Sequence, residues 1–282
     1  MQQRDGAKRW IDLGFISFQP SEIAKIGLII FFASFLTKNK ERLGEMWKGF
    51  FCPIIYYLLP VIGILVIVQN HLSATILIVM IVAVMMLMAG SKLKYFLTFG
   101  TAGVTAGITT LLLYAKITGK GAFRIARLIT FLDPFAYKQD EGWQVVQSLY
   151  AIGSGGLFGV GLGNSTQKYS YIPEAHNDFI FSIIAEELGF LGCAVVIILF
   201  LLFIWRGILI AMKAPDMFGS LIAAGITTMV GLQAIINIAV VTSSMPNTGM
   251  PLPFFSYGGT SLLILLASVG ILLNISRASK SK

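Results

Sequence analysis

The sequence predicts an all-α, polytopic transmembrane helix bundle, and three observations carry that prediction. Of 282 residues, 56% are hydrophobic and only 12% charged, with a mean hydropathy of +0.81, whereas a soluble domain carries about 25% charged residues. The apolar residues gather into runs of about 17–25, enough helix to cross about 30 Å of hydrocarbon. Those runs are apolar on every face, as in ILIVMIVAVMMLMAG at 76–90, and lack the alternation of a membrane β-barrel.

About seven spans follow, near 21–37, 51–68, 72–90, 95–115, 178–205, 218–240 and 260–276. The first carries Glu22 and Lys25 one turn inside it, three residues apart, the spacing at which helical side chains meet. An unpaired charge at that depth is costly, so Lys25 is either paired to Glu22 or lines a polar cavity. Segment 116–177 is too long for a tight turn and is expected to fold against the membrane as a cap over a cavity. Within it, EGWQVVQSLYAI places Trp143, Val146, Leu149 and Tyr150 on one helical face, with Glu141, Gln144 and Gln147 elsewhere, the pattern of an interfacial helix.

The glycines at 153, 155, 156, 159, 161 and 163 superficially suggest a phosphate loop. Walker A requires a Gly-Lys-Ser/Thr ending and the dinucleotide fingerprint a βαβ unit, and neither context exists here. These glycines instead suit irregular backbone at membrane depth, which is tolerated where it lines protein or a water-filled cavity. The span at 178–205 begins at Asp178 and carries Glu186 and Glu187. Between the last two spans, Pro246, Pro251, Pro253, Gly249, Gly258 and Gly259 forbid regular helix, so this chargeless stretch is a rigid turn or re-entrant segment.

A net charge of +8 forms no stripe for nucleic acid. Lys38, Lys40, Arg42, Lys48, Lys92, Lys94, Arg206, Lys213, Arg277, Lys280 and Lys282 fall in short loops expected on one side, which the positive-inside rule makes cytoplasmic. Segments 116–177 and 241–258 and the amino-terminal tail then face outward. That tail, with Arg4, Lys8 and Arg9, has no apolar segment before it, so the sequence reads as beginning downstream of further spans. Cys52 and Cys193 support no disulfide framework. Without repeats or linkers, residues 1–282 read as one domain.

Residues 171–191, YIPEAHNDFIFSIIAEELGFL, hold the densest chemistry. Asp178 at the rim of an apolar span is either a helix N-cap or a general base, and Asn177 can take the cap in its place. Glu174, His176 and Asp178 are spaced E-x-H-x-D, but a chain with two histidines does not support a zinc site.

Four segments together resemble the SEDS family (shape, elongation, division and sporulation), closer to its FtsW/SpoVE branch than to RodA. They are GAKRWIDLGFISFQPSEIAK at 6–25, RLITFLDPFAYKQDEGWQVVQSLYAIGSGGLFGVGLGNS at 127–165, YIPEAHNDFIFSIIAEELGFLG at 171–192 and MPNTGMPLPFFSYGGTSLL at 245–263. The resemblance implies about ten spans in a full-length member, three of them before this sequence. It implies a multi-pass protein of the bacterial plasma membrane that polymerises lipid II, a disaccharide-peptide carried on a polyprenyl pyrophosphate. Its partner would be a class B penicillin-binding transpeptidase, among other division or sporulation proteins. Where the family has Pro-Asp-Leu-Gly, this chain has Asn70, His71, Leu72 and Ser73, which leaves His71 only a polar substitute.

For that substrate the resemblance makes Asp178 the catalytic base, in a site facing outward. Lys8, Arg9, Lys25, Arg124 and Arg127 are candidates for neutralising the leaving pyrophosphate, beside Glu174 and His176. No resident cofactor is implied beyond a loosely held divalent cation, such as magnesium bridging Asp178 or Glu174 to pyrophosphate. Glu186, eight residues after Asp178, lies about 12 Å down a regular helix and is expected to answer Lys25 inside the bundle, with Glu187 structural. Trp10, Glu22, Pro251, Ser256 and Gly258 are expected to shape the cavity or its walls. Two other functions remain open: flipping the lipid precursor, which needs polar groups through the whole membrane thickness, and scaffolding a transpeptidase, which leaves Asp178 dispensable.

Overall fold

The computed structural model describes residues 2–4, 7–12, 17–67, 69, 72–101, 103, 105, 109, 131–137, 142–167 and 176–280. The helices are α1 Pro20–Lys38, α2 Met46–Ile67, α3 Leu72–Met88, α4 at 93–101, α5 Trp143–Gly155, α6 Ile180–Met212, α7 Met217–Val241 and α8 Gly259–Lys280. Six of the expected spans coincide with helices to within a few residues, apart from longer ends on α2 and α6. Most of the remainder of 95–115 lies outside the described residues. Among the described residues, five helices are long and apolar enough to cross a membrane, and α3 is an apolar helix of 17 residues.

The helical expectation needs one addition. Residues expected as a plain tail form a small antiparallel sheet, β1 Gln2–Arg4, β2 Ala7–Asp12 and β3 Ser17–Phe18, paired in that order. Gln2 faces Trp10, and Ile11 faces Phe18. Strands of two to six residues leave too short a period to read against the apolar helices that follow.

Contacts divide the chain into two compact units. The first comprises Met1–Leu97, Leu201–Leu232 and Gly258–Lys282. In it α1 starts at Pro20, where a missing N–H costs nothing, and buries one stripe of Ser21, Lys25, Leu28, Ile29, Phe32, Ala33 and Leu36. Leu77, Ile78, Ile81 and Met85 of α3 are likewise buried. Gly225 of α7 permits a close approach to α1 and α3, since a Cβ there would lie 2.8 Å from Ile29 and 3.0 Å from Met85. Pro53 and Pro60 interrupt α2, and its wide turns bond Cys52 N–H to the Trp47 carbonyl and Leu59 N–H to that of Ile54, so the helix bulges without breaking. Loops 38–50 and 91–95 meet where the Tyr95 hydroxyl reaches the Gly44 carbonyl at 3.4 Å, as their shared side requires.

The second unit comprises Thr98–Phe200 and Gln233–Tyr257. Here α5 buries a different face from the one expected. Val145, Val146, Gln147, Ser148 and Ala151 are buried while Tyr150 is half exposed. Polar contacts override the amphipathic count: the Ser148 hydroxyl donates to the Val241 carbonyl at 2.8 Å, and Asn247 donates to Gln144 at 2.9 Å.

Candidate functional site

Asp178 sits in the turn 176–179 that leads into α6, partly buried, with His176 exposed beside it. The backbone of this turn is held at three successive carbonyls. Tyr257 N–H donates to His176 at 2.9 Å, the Ser256 hydroxyl to Asn177 at 2.6 Å, and the Asn237 amide to Asp178 at 2.7 Å. The donors come from the end of α7 and from the proline-rich turn that follows it. That turn is braced in its own right: Ser256 also receives the Leu252 N–H at 2.7 Å, and Asn247 receives the Gly249 N–H at 3.2 Å. Gly249 has φ +61°, and a Cβ on it would lie 3.1 Å from Asp178 Oδ2, so the carboxylate rests against bare backbone. The irregular stretch foreseen at 245–260 is therefore the wall that fixes Asp178.

Farther along, α6 is not the continuous helix that the sequence suggested. Gly189, at φ 65° and ψ −164°, breaks it. A break frees carbonyls and N–H groups that hydrocarbon cannot satisfy, and the glycine-rich loop satisfies them. Val160 and Gly161 donate to the carbonyls of Glu186 and Glu187 at 2.9 and 3.1 Å, while Phe190 and Leu191 donate to Gly156 and Leu157 at 2.9 and 3.2 Å. Gly155 and Gly159 are required by this approach, because a Cβ on either would enter the carbonyl of Ala185 or Glu187.

The break also decides the fate of Glu186, which is buried to 1% exposure. Its expected partnership with Lys25 is corrected: its carboxylate accepts from the Ser165 hydroxyl and from the backbone and hydroxyl of Thr166 at 3.0 Å each. Lys25, 2% exposed, donates to Glu22 at 2.8 Å within α1. The i,i+3 spacing is thus realised inside one helix, and Glu186 instead clamps the loop that follows α5.

Ser256 supplies the stitch described above, while Pro251 lies in its turn and Gly258 immediately precedes α8. The side chains of Lys8, Arg9 and Trp10, together with Arg124, Arg127, Glu174 and His71, lie outside the described residues. Among the described residues no three His, Cys, Asp or Glu side chains cluster as metal ligands. Asn237 was not singled out from the sequence; the signal was an asparagine within an otherwise apolar run, AIINIAVV at 234–241.

The family model described as cell cycle protein, covering FtsW, RodA and SpoVE, matches residues 1–281. The chain belongs to the FtsW/RodA/SpoVE family. It is 42% identical to stage V sporulation protein E of Bacillus subtilis (strain 168), over 98% of this chain and 73% of that protein. It is 44% identical to the probable peptidoglycan glycosyltransferase FtsW of Geobacter sp. (strain M18), over 96% and 71%. Among solved structures, a chain of a peptidoglycan synthase complex that coordinates polymerization and crosslinking superposes with a TM-score of 0.76 at 29% identity, covering 100% of this chain and 76% of that one. The rod shape determining protein RodA of Thermus thermophilus gives 0.65 at 29% identity, over 98% and 71%. Membership of the FtsW/RodA/SpoVE family agrees with the multi-pass helical architecture and with the resemblance drawn from the four segments.

Proposed function

We propose that this chain is a peptidoglycan glycosyltransferase that extends glycan strands from lipid II at the outer face of the bacterial plasma membrane, with Asp178 as the general base. The observation that carries the reading is a partly buried carboxylate whose turn is anchored at three consecutive carbonyls. Catalysis by a base needs such fixed geometry. Relatives named as peptidoglycan glycosyltransferases support the activity.

In this reaction the 4-hydroxyl oxygen of the acceptor sugar attacks the anomeric carbon of the donor, and the bond from that carbon to the lipid pyrophosphate breaks with inversion. Asp178 takes the hydroxyl proton as the new C–O bond forms. The departing pyrophosphate leaves as an anion and needs positive charge more than a proton. Arg124 and Arg127 suit bidentate contact with phosphate, with Lys8 and Arg9 as further cations, whereas the Lys25 amine already meets Glu22. Asp178 or Glu174 would hold a magnesium ion, which when bound would supply further positive charge for the pyrophosphate. The partner of the reaction is a single-span class B penicillin-binding transpeptidase, a reading supported by the similar chain in a peptidoglycan synthase complex.

The test is polymerisation of purified lipid II in detergent, with the transpeptidase present and its crosslinking blocked. Wild type is compared with Asp178→Asn at equal monodispersity, with and without EDTA. Glycan from wild type and none from the variant is the expected result, because asparagine keeps the capping oxygen but not the base. Equal output from both removes Asp178 as the base, and output from neither favours lipid flipping. Loss with EDTA that magnesium reverses is expected if the cation shares the charge.

A further inference from the structure

We infer that Asn237 is a positioning residue for glycosyl transfer, acting through the main chain of Asp178. This inference rests on the reading of Asp178 as the base. Asn237 projects from the last turns of α7 and is 1% exposed. Its amide nitrogen donates twice, to the Asp178 carbonyl at 2.7 Å and to the Met250 carbonyl at 2.7 Å.

The orientation of this amide follows from its partners. Both contacts are carbonyl oxygens, which only accept, so the nitrogen must face them. Its own Oδ1 is then buried with no hydrogen-bond partner among the described residues. An apolar side chain would remove this unmet oxygen but would leave the Asp178 and Met250 carbonyls without the donor they share. What asparagine supplies, and an apolar residue cannot, is one rigid fork that joins the Asp178 peptide to the Met250 peptide. Met250 follows Gly249, the residue against which the Asp178 carboxylate rests.

The fork therefore sets the separation between the base and the wall behind it. Of the three donors on the 176–178 carbonyls, Ser256 and Tyr257 come from the turn itself, while Asn237 comes from a regular helix. It references the turn to the helical scaffold. Shifting a base by about 1 Å relative to a bound hydroxyl can cost roughly a hundredfold in rate without weakening substrate binding.

The test uses Asn237→Asp, which keeps size and shape but loses both donors, and Asn237→Ser, which keeps one. Lipid II polymerisation is measured for the chain in detergent with its transpeptidase, fitting kcat and KM separately at matched monodispersity. Asn237→Asp is expected to lower kcat about a hundredfold with KM within twofold of wild type, and Asn237→Ser to fall between. A kcat within threefold of wild type for Asn237→Asp overturns the inference. So does a loss carried by KM, which would make Asn237 a binding residue. If Asn237→Asp is not monodisperse, the same limits are applied to Asn237→Ser. Asp178→Asn is run alongside: an inactive Asp178→Asn with a fully active Asn237→Asp defeats only the role of Asn237, whereas an active Asp178→Asn defeats the base itself.

Discussion

Replacing Gly155 by alanine tests the packing that closes the break in α6. The added carbon would enter the carbonyl oxygen of Ala185 and lie 2.8 Å from its carbon, against a rest distance of about 3.5–4.0 Å between carbons. The end of α5 and the segment before Gly189 must therefore part by about 1 Å. The exchanged bonds at 2.9–3.2 Å would stretch to about 4 Å, beyond hydrogen-bond range. Overpacking costs about 1–3 kcal/mol, and each buried backbone group left unmet about 1–3 kcal/mol more. A total of about 2–9 kcal/mol follows from the overpacking and the loss of one or two such bonds. Gly153 is the internal control: it lies in the same helix, and a Cβ on it meets nothing within 4 Å, so Gly153→Ala should be neutral or stabilising by about 0.5–1 kcal/mol. The assay is thermal unfolding of both variants in one detergent, followed by intrinsic fluorescence and by the monodisperse fraction. Equal midpoints for Gly155→Ala and Gly153→Ala would show that the loop does not hold the broken helix.

Two further substitutions probe the ion pair and the wall behind Asp178. Glu22→Ala leaves the Lys25 ammonium buried without its carboxylate, and destabilisation by about 3–5 kcal/mol is expected, whereas Glu22→Met combined with Lys25→Met should restore much of the lost stability in the same thermal assay. Gly249→Ala forces a side chain onto a positive φ at a cost of about 1–2 kcal/mol and presses on Asp178 Oδ2 from 3.1 Å. Its expected mark is a fall in kcat of about tenfold, the size of effect that about 1.4 kcal/mol on the barrier produces, with monodisperse protein retained and lipid II polymerisation as the readout.

The spans were legible because hydropathy reports burial in hydrocarbon directly, and the Glu22–Lys25 pair was legible because both ends lie on one helix. The limits lay wherever two distant segments decide the outcome. Gly189 reads as an ordinary helical glycine until the 156–161 backbone is brought beside it, and only then does the left-handed conformation become affordable. Glu186 was expected to meet a cation from its depth along a regular helix, yet hydroxyl and N–H donors from Ser165 and Thr166 satisfy it. In α5 the apolar count favoured Trp143 and Tyr150, but Ser148 turned the helix by finding the carbonyl of Val241. Asn237 was invisible for the same reason: both carbonyls it serves are far from it in sequence or beyond the end of its helix.

The break in α6 and the anchoring of Asp178 act on one short piece of chain. Residues 180–188 form about 13 Å of helix at 1.5 Å per residue, less than half of a hydrocarbon layer of about 30 Å. An uninterrupted span would transmit any tilt of its far end to the residue at its rim. Here the piece is fastened at both ends within the same unit, at 176–178 by donors from Asn237, Ser256 and Tyr257 and at 186–191 by the exchange with 156–161. Gly189 marks the point where φ departs from helix, and one loop bonds the residues on both sides of it. With Asp178 as the proposed base, a short helix fastened at both ends would keep its carboxylate within hydrogen-bond reach of one acceptor hydroxyl. The glycines that resembled a nucleotide loop in the sequence thus serve the carboxylate by holding the far end of its helix still.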